Sequence, residues 1–448
     1  MRSVREELRD NLANALRSSE SLFAGLIGYE DTVIPQIENA LLAGQDIIFL
    51  GERGQAKSRL IRALTTLLDD AIPVVAGSEI NDHPYSPISR FARDLVAERG
   101  DATPIEWVPR ARRFAEKLAT PDTSIADLIG EVDPIRIAEG RYLADEMTIH
   151  YGLLPRVNRG IFAINELPDL AERIQVGLLN VMEERDIQIR GFQVRLDLDV
   201  MVVATANPED YTNRGRIITP LKDRFGAQIR THYPRTGEQE AVIMEQERAN
   251  FDGLGVSLHV PSYMRELIAE ISQQARRTAQ VNQRSGVSVR LSIANYESLC
   301  ANAVRRAILL QEPEAVPRLS DLAAMTASTA GKLELETWEE GEDQVVLQKL
   351  VRTAVGNVFR RHFSVPEFAP LVARFEQGMS AETGEMVPTA KYEALAAELT
   401  ETKRILADLD EPNRPGSLAA ALELVLEGLH LAKRLNKTVV DGATIYNS

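Results

Sequence analysis

The chain has 448 residues, enough for two or three domains with sizeable cores, and its 44% hydrophobic and 26% charged content is ordinary for a soluble globular protein. A net charge of −15 argues against a general nucleic-acid binder, and the single cysteine, Cys300, excludes an intrachain disulfide and a cysteine-rich metal site; six scattered histidines give no zinc spacing either. No apolar run approaches the roughly 20 residues of a membrane span, so a membrane role is not expected and the cytoplasm is the default.

Residues 1–22 read as a helix with Val4, Leu8, Leu12 and Leu16 on one face. The apolar turn Gly25-Leu26-Ile27-Gly28-Tyr29-Glu30 follows, then a second amphipathic helix through Ile34, Ile37, Leu41 and Leu42. That turn could lie against a nucleotide base or simply join two helices. Ile47 to Leu50 is then a strand-length apolar run. It leads into Gly51-Glu52-Arg53-Gly54-Gln55-Ala56-Lys57-Ser58-Arg59 and an amphipathic helix with Leu60, Ile61, Leu64, Leu67 and Leu68. Strand, glycine-rich turn and helix are the setting of a phosphate-binding loop, in which backbone N–H groups and a helix N-terminus surround phosphate oxygens. Lys57 would reach the terminal phosphates and Ser58 would ligate Mg²⁺. Ala56 stands where a second glycine is expected, an exchange that is harmless at negative φ and costly at positive φ.

Ile72 to Ala76 reads as a short buried strand. Residues 78–159 then form a long polar interval with seven prolines and the basic cluster Arg110, Arg112 and Arg113, most simply a solvated helix face, with a phosphate or partner site as the alternative. Gly160 to Glu166 is four apolar residues ending in Asn165-Glu166, the way a buried parallel strand delivers polar groups to a nucleotide pocket. A helix carrying Leu170, Ile174, Leu178 and Met182 follows, and residues 186–197 alternate about Gly191 as a hairpin. Val200 to Ala204 is a strand ending in Thr205-Ala206-Asn207-Pro208. Leu221-Lys222-Asp223-Arg224-Phe225 precedes a last strand near 228–233. This first part is a parallel α/β domain.

Beyond residue 236 helical runs dominate (237–250, 261–281, 289–311, 320–332 and 343–362), one opening at Gly286-Val287-Ser288-Val289-Arg290. A connector bearing Pro366, Pro370, Gly378, Gly384 and Pro388 leads to two final helices. The first carries Leu395, Leu399, Leu406 and Leu409; the second, capped by Ser417, carries Leu418, Leu422, Leu426 and Leu429. Three domains are expected: an α/β core with an N-terminal helix and inserted elements over 1–235, a helical lid over 236–365, and a helical C-terminal extension over 366–448.

The order of these motifs resembles the AAA+ ATPases, and within them the ATPase (I) subunit of magnesium chelatase and the MoxR-type proteins. The stretches that carry the resemblance are 51–64, 152–162 and 205–225, within roughly residues 20–300. It implies a P-loop parallel-sheet core and a helical lid, with ATP and Mg²⁺ as cofactors. It further implies that Lys57 and Ser58 bind phosphate and Mg²⁺, that Glu166 polarises the attacking water, and that Asn207 helps position it. Arg224 becomes the arginine finger acting on a neighbouring subunit's site, and Arg290 the sensor-two arginine. Ile27 and Gly28 lie beside adenine, and the 186–197 hairpin corresponds to the pre-sensor hairpin. Two positions depart from the family's pattern. Ala56 is shared with the similar MCM helicases, and Asn165 replaces the aspartate of the metal site, so weaker metal retention is expected. The implied function is hydrolysis of ATP in a homo-oligomeric ring, expected to be a hexamer, driving metal insertion or remodelling of a partner protein, with a separate von Willebrand A-domain protein as a possible companion. The alternative is a scaffold whose bound ATP only fixes ring geometry.

Overall fold

The structure, a computed structural model, describes residues 2–18, 22–132, 146–184, 187–189, 192–194, 196–207, 216–282, 286–329, 331–334, 342–440 and 442–448. The described chain forms two compact units, Met1–His232 and Tyr233–Ser448.

The first unit begins with α1 (Val4–Ser18) and α2 (Val33–Leu42), followed by β1 (Ile47–Leu50) and α3 (Lys57–Ala63). Its sheet is completed by β2 (Phe114–Leu118), β3 (Gly160–Asn165), β4 (Val200–Ala206) and β5 (Ala227–Arg230), with α4 (Glu172–Glu184) after β3 and α5 (Thr219–Arg224) before β5. The five strands are all parallel and lie in the order β5-β1-β4-β3-β2. Strands buried on both faces read as continuous apolar runs, which is why β1, β3 and β4 were legible. Period-two alternation sends Ile47, Phe49, Ile161, Ala163, Met201 and Val203 to one face, against Leu60, Ile61 and Leu64 of the α3 segment. Ile48, Phe162, Ile164, Val202 and Ala204 fill the other face, against Ile174 and Leu178 of α4.

The polar interval is more ordered than its composition suggests. Ala71–Val75 pairs antiparallel with Ile105–Pro109, outside the main sheet. β2, an edge strand with partly exposed side chains, carries too little apolar pattern to stand out in the sequence. The basic cluster forms a short 3-10 turn, Arg110–Arg113, on which Arg112 is exposed as expected but Arg113 is not solvated. Arg113 is fully buried, donates from both terminal nitrogens to Glu7 at 2.7 and 2.6 Å, and reaches the Arg159 carbonyl at 2.9 Å. The α1 helix is thereby tied to the base of β3. The expected 186–197 hairpin appears as Ile187–Ile189 paired with Phe192–Val194; its turn at 190–191 and Pro208 lie outside the described residues.

In the second unit α6 (Gly237–Glu247), α7 (Ser262–Arg277), α8 (Val289–Leu310), α9 (Glu342–His362) and α10 (Pro415–Leu431) share one apolar cluster running from Met244 to Tyr446. The expected first helix of the C-terminal pair is two, Thr389–Ala397 and Thr402–Asp408. Between them the Thr402 hydroxyl donates to the Ala396 and Leu399 carbonyls, both at 3.2 Å. α10 starts after Arg414 rather than at Ser417, with Pro415 in its first turn. A small antiparallel ribbon of Ala381–Thr383, Ala443–Asn447 and Asn436–Val440 was not expected from the sequence.

The buried Glu7–Arg113 pair makes a stability prediction. Glu7→Ala leaves a fully buried guanidinium without its carboxylate, a loss of about 3–5 kcal/mol for such pairs. A urea titration followed by circular dichroism should show the first unit's midpoint falling; an unchanged midpoint would remove the pair from the fold's support.

Candidate nucleotide site

The turn after β1 is shaped by contacts from beneath. Thr231, just past β5, donates its hydroxyl to Gln55 Oε1 at 2.7 Å, and the same oxygen accepts the Glu52 N–H at 3.1 Å. The buried Tyr29 hydroxyl donates to the Gln55 carbonyl at 2.8 Å and lies 2.9 Å from the His232 carbonyl, while its ring meets the His232 ring edge-on. Burial pushes the Tyr29 phenol well above its ordinary pKa, so it remains a neutral donor. Gly51 is required by space: a methyl group there would collide with the Thr231 and Gln55 side chains. Gly54 and Ala56 both take positive φ, 77° and 53°, and reverse the chain into α3. Ala56 is therefore in the left-handed region, where an alanine costs roughly 1–2 kcal/mol more than in right-handed backbone.

Lys57 Nζ is turned back over the loop. It donates to the Gly51 carbonyl, to the Glu52 carbonyl at 2.8 Å and to Asn207 Oδ1 at 2.6 Å. Asn207 follows β4 and is nearly buried. One strand further along, Glu166 is left-handed (φ 57°), and its N–H donates to the Thr205 hydroxyl at 3.0 Å. That hydroxyl also lies 3.4 Å from Asn165 Oδ1, while Asn165 Nδ2 donates to Glu116 of β2. The carboxyl ends of β1, β4 and β3, adjacent in the sheet, thus bring together a lysine amine, two amides, a hydroxyl and a glutamate.

The remaining expected residues are distributed as follows. Ser58 and Arg59 are exposed on the first turn of α3, Arg53 and Ala56 are exposed, and Glu52 and Gly54 are partly so. Gln55 is buried and its side chain braces the loop rather than facing outward. Ile27 is half-buried, and Gly28 (φ 83°) donates its N–H to Glu30 at 3.1 Å. Arg224, at the end of α5, pairs with Glu183 of α4 with 41% of its side chain exposed. Arg290 is exposed in the first turn of α8, capped by the Ser288 hydroxyl at 3.1 Å, and belongs to the second unit. Sequence reasoning missed Tyr29, Thr231, Arg62 and Glu116. Only Tyr29 gave a local signal, sitting directly after the Ile27-Gly28 turn.

The donor set fits a nucleotide with its cation. Lys57 and the N-terminus of α3 match phosphate charge, and Ser58 offers a hard oxygen ligand to Mg²⁺. Among the described residues no group of three or more His, Cys, Asp or Glu side chains could hold a metal by itself. A cation here therefore needs phosphate oxygens and water to complete its shell, the usual manner of Mg²⁺.

Residues 106–225 match the family model of the AAA domain (dynein-related subfamily). That match covers about a quarter of the chain and runs from β2 of the five-stranded parallel sheet to the end of α5. In sequence it is distantly related to magnesium-chelatase subunit ChlI: 26% identical to that of Guillardia theta over 238 residues (51% of this chain, 62% of the relative) and 28% identical to that of Nostoc sp. strain PCC 7120 over 239 residues (51% and 59%). The chain therefore spans about three fifths of the length of the curated relatives it matches. A solved complex of subunits BchI and BchD of magnesium chelatase, from cryo-EM at 7.5 Å, is similar at 20% identity over 72% of this chain and 98% of that one, with a TM-score of 0.37.

The left-handed Ala56 yields a paired prediction. Ala56→Gly relieves the strained backbone and, after the entropy that glycine adds to the unfolded chain, should raise stability by up to about 1 kcal/mol. Ala56→Val should lower it by about 1–3 kcal/mol, because a β-branched residue fits this region worst. Thermal unfolding of the three proteins checks the order Gly, Ala, Val.

Proposed function

We propose that this protein is an AAA+ ATPase that binds Mg·ATP at Gly51–Ser58 and hydrolyses it within a homo-oligomeric ring, using the energy for metal insertion or for remodelling a partner protein. The observation that carries this reading is the position of Lys57. Its amine meets Asn207 at the carboxyl end of β4, one strand from Glu166, where a phosphate chain lying on the loop would present its terminal group.

In this reading Lys57 exchanges its present carbonyl partners for phosphate oxygens. Ser58 would hold the cation, which when bound would supply neutralisation of phosphoryl charge. Glu166 orients the attacking water from the left-handed turn after β3, and Asn207, with its amide fixed by Lys57, holds that water in line. Phosphoryl transfer asks the protein for positioning and charge neutralisation, and these residues are suited to both. Arg224 acts on the neighbouring protomer's site, so that hydrolysis depends on assembly. Its half-exposed place beside Glu183 leaves it accessible to a neighbour. Ile27 and Gly28 would take the adenine, and Arg290 would take the sensor-two role that the resemblance implies. The likeness to magnesium-chelatase subunit ChlI supports a ring ATPase whose work is delivered to a partner, with a separate von Willebrand A-domain protein as one candidate. Among the described residues no helix is long and apolar enough to cross a membrane.

Two measurements test the proposal. Lys57→Ala should abolish ATP binding in a calorimetric titration while circular dichroism remains unchanged; an unaltered affinity would remove the phosphate-loop assignment.

For the shared site, Arg224→Ala and Glu166→Gln should each be inactive alone. Mixed, they should regain turnover at interfaces that pair an intact Glu166 with an intact Arg224. Co-assembly without any recovered ATPase would refute the shared site. Wild-type rings that bind ATP yet never hydrolyse it would establish the scaffold reading instead.

A further inference from the structure

We propose that Glu116 is the acidic residue of the cation site, presented from the edge strand β2 by Asn165 in place of a carboxylate on β3 itself. The proposal rests on the reading that Gly51–Ser58 binds Mg·nucleotide. Register places Glu116 opposite Ala163, and Ala163 opposite Val203, so Glu116, Asn165 and Thr205 all point to the α3 face of the sheet. On that face Asn165 Nδ2 donates to one oxygen of Glu116, and Arg62 Nε donates to the other at 2.8 Å. Arg62 lies four residues after Ser58 on α3 and therefore one turn below the hydroxyl that would meet the cation.

The orientation of the Asn165 amide follows from its neighbours. Its oxygen faces the Thr205 hydroxyl and its nitrogen faces Glu116; flipped, the oxygen would oppose a carboxylate. Asn165 is thus one hydrogen bond from a full negative charge that residue 165 itself lacks. An ordinary surface ion pair accounts poorly for this. The Arg62 side chain is 66% exposed, and such a pair contributes little, yet Glu116 is held down at 18% exposure. Arg62, whose pKa Glu116 raises by accepting its hydrogen bonds, serves as the counter-ion while no cation is near. A carboxylate reached through bound water matches how Mg²⁺ is usually held beside a nucleotide, with part of its hydration shell kept.

The arrangement can be tested by moving the charge. Glu116→Gln keeps the size of the side chain and one oxygen, enough for one of the two donors Asn165 and Arg62, but removes the charge. Glu116→Gln combined with Asn165→Asp returns the charge to the neighbouring strand with the hydrogen bond reversed. Calorimetry with ADP in EDTA first measures the phosphate loop alone; Mn²⁺ binding to the ADP-loaded full chain, read by electron paramagnetic resonance, then measures the cation site. The expected result is ADP affinity within twofold in all three proteins, Mn²⁺ affinity about fivefold or more weaker in E116Q, and recovery to within twofold of wild type in the double variant. If ADP binds but E116Q holds Mn²⁺ as tightly as wild type, Glu116 only anchors Arg62 and the proposal is overturned. Should E116Q alone not fold, the double variant decides: wild-type Mn²⁺ affinity supports the proposal, and a fivefold loss overturns it. Wild-type protein that binds no ADP at all would defeat the phosphate-loop reading itself, and this proposal with it.

Discussion

The geometry of the site depends on the way β1 is clamped. Its four residues pair with β4 on one side and β5 on the other, so the carboxyl end of β1 cannot move without breaking both ladders. The chain must then reverse into α3 within a few residues, and the reversal is fixed from below by Tyr29, Gln55 and Thr231. Each of these comes from a different part of the sequence: the turn before α2, the loop itself, and the residue after β5. A loop held in this way keeps its shape without a phosphate in it. Less ordering is then needed when a ligand arrives, which favours affinity.

The same sheet order explains why polar groups distant in sequence meet. With strands ordered β5-β1-β4-β3-β2, the ends of β1, β4 and β3 are consecutive, and these carry Lys57, Asn207 and Glu166. Parallel strands bring all their carboxyl ends to one edge, so a ligand at that edge is met by several elements at once. The Lys57 to Asn207 hydrogen bond is the shortest expression of this, joining residues 150 positions apart.

What the sequence disclosed and what it hid follow one rule. Doubly buried strands and the glycine-rich loop carry their signal locally, so β1, β3, β4 and the loop could be read directly. β2 could not, because an edge strand with Glu116 and Lys117 in its middle has no apolar run to betray it. Arg113 read as solvated, since nothing near it in sequence announces that Glu7 will be its partner. The bracing of the loop by Thr231 was invisible for the same reason. Long-range pairings of polar side chains leave no periodicity, and several of them matter most here. Gln55 shows the limit from the other side: its place in the motif suggested a ligand contact, while its side chain is committed to Thr231 and Glu52.

The two departures from the pattern of the resembling family, Ala56 in the loop and Asn165 at the end of β3, differ physically. At Ala56 the missing glycine is a matter of backbone energy. The surrounding contacts enforce a left-handed residue that alanine tolerates at modest cost, so the loop keeps its form and only local stability is affected. At Asn165 the difference is one of charge, and no backbone adjustment can replace a charge. A compensating carboxylate must come from another residue, near enough to act at low effective dielectric and anchored so that it does not withdraw into solvent. The neighbouring acid, Glu166, lies past the end of β3 in a left-handed turn and is already assigned to the attacking water in the proposed function. The adjacent strand is the nearest remaining source, and among its inward-facing residues Glu116 alone is acidic. In the proposed reading the charge that residue 165 lacks comes from β2, the strand whose sequence gave the least sign of belonging to the site.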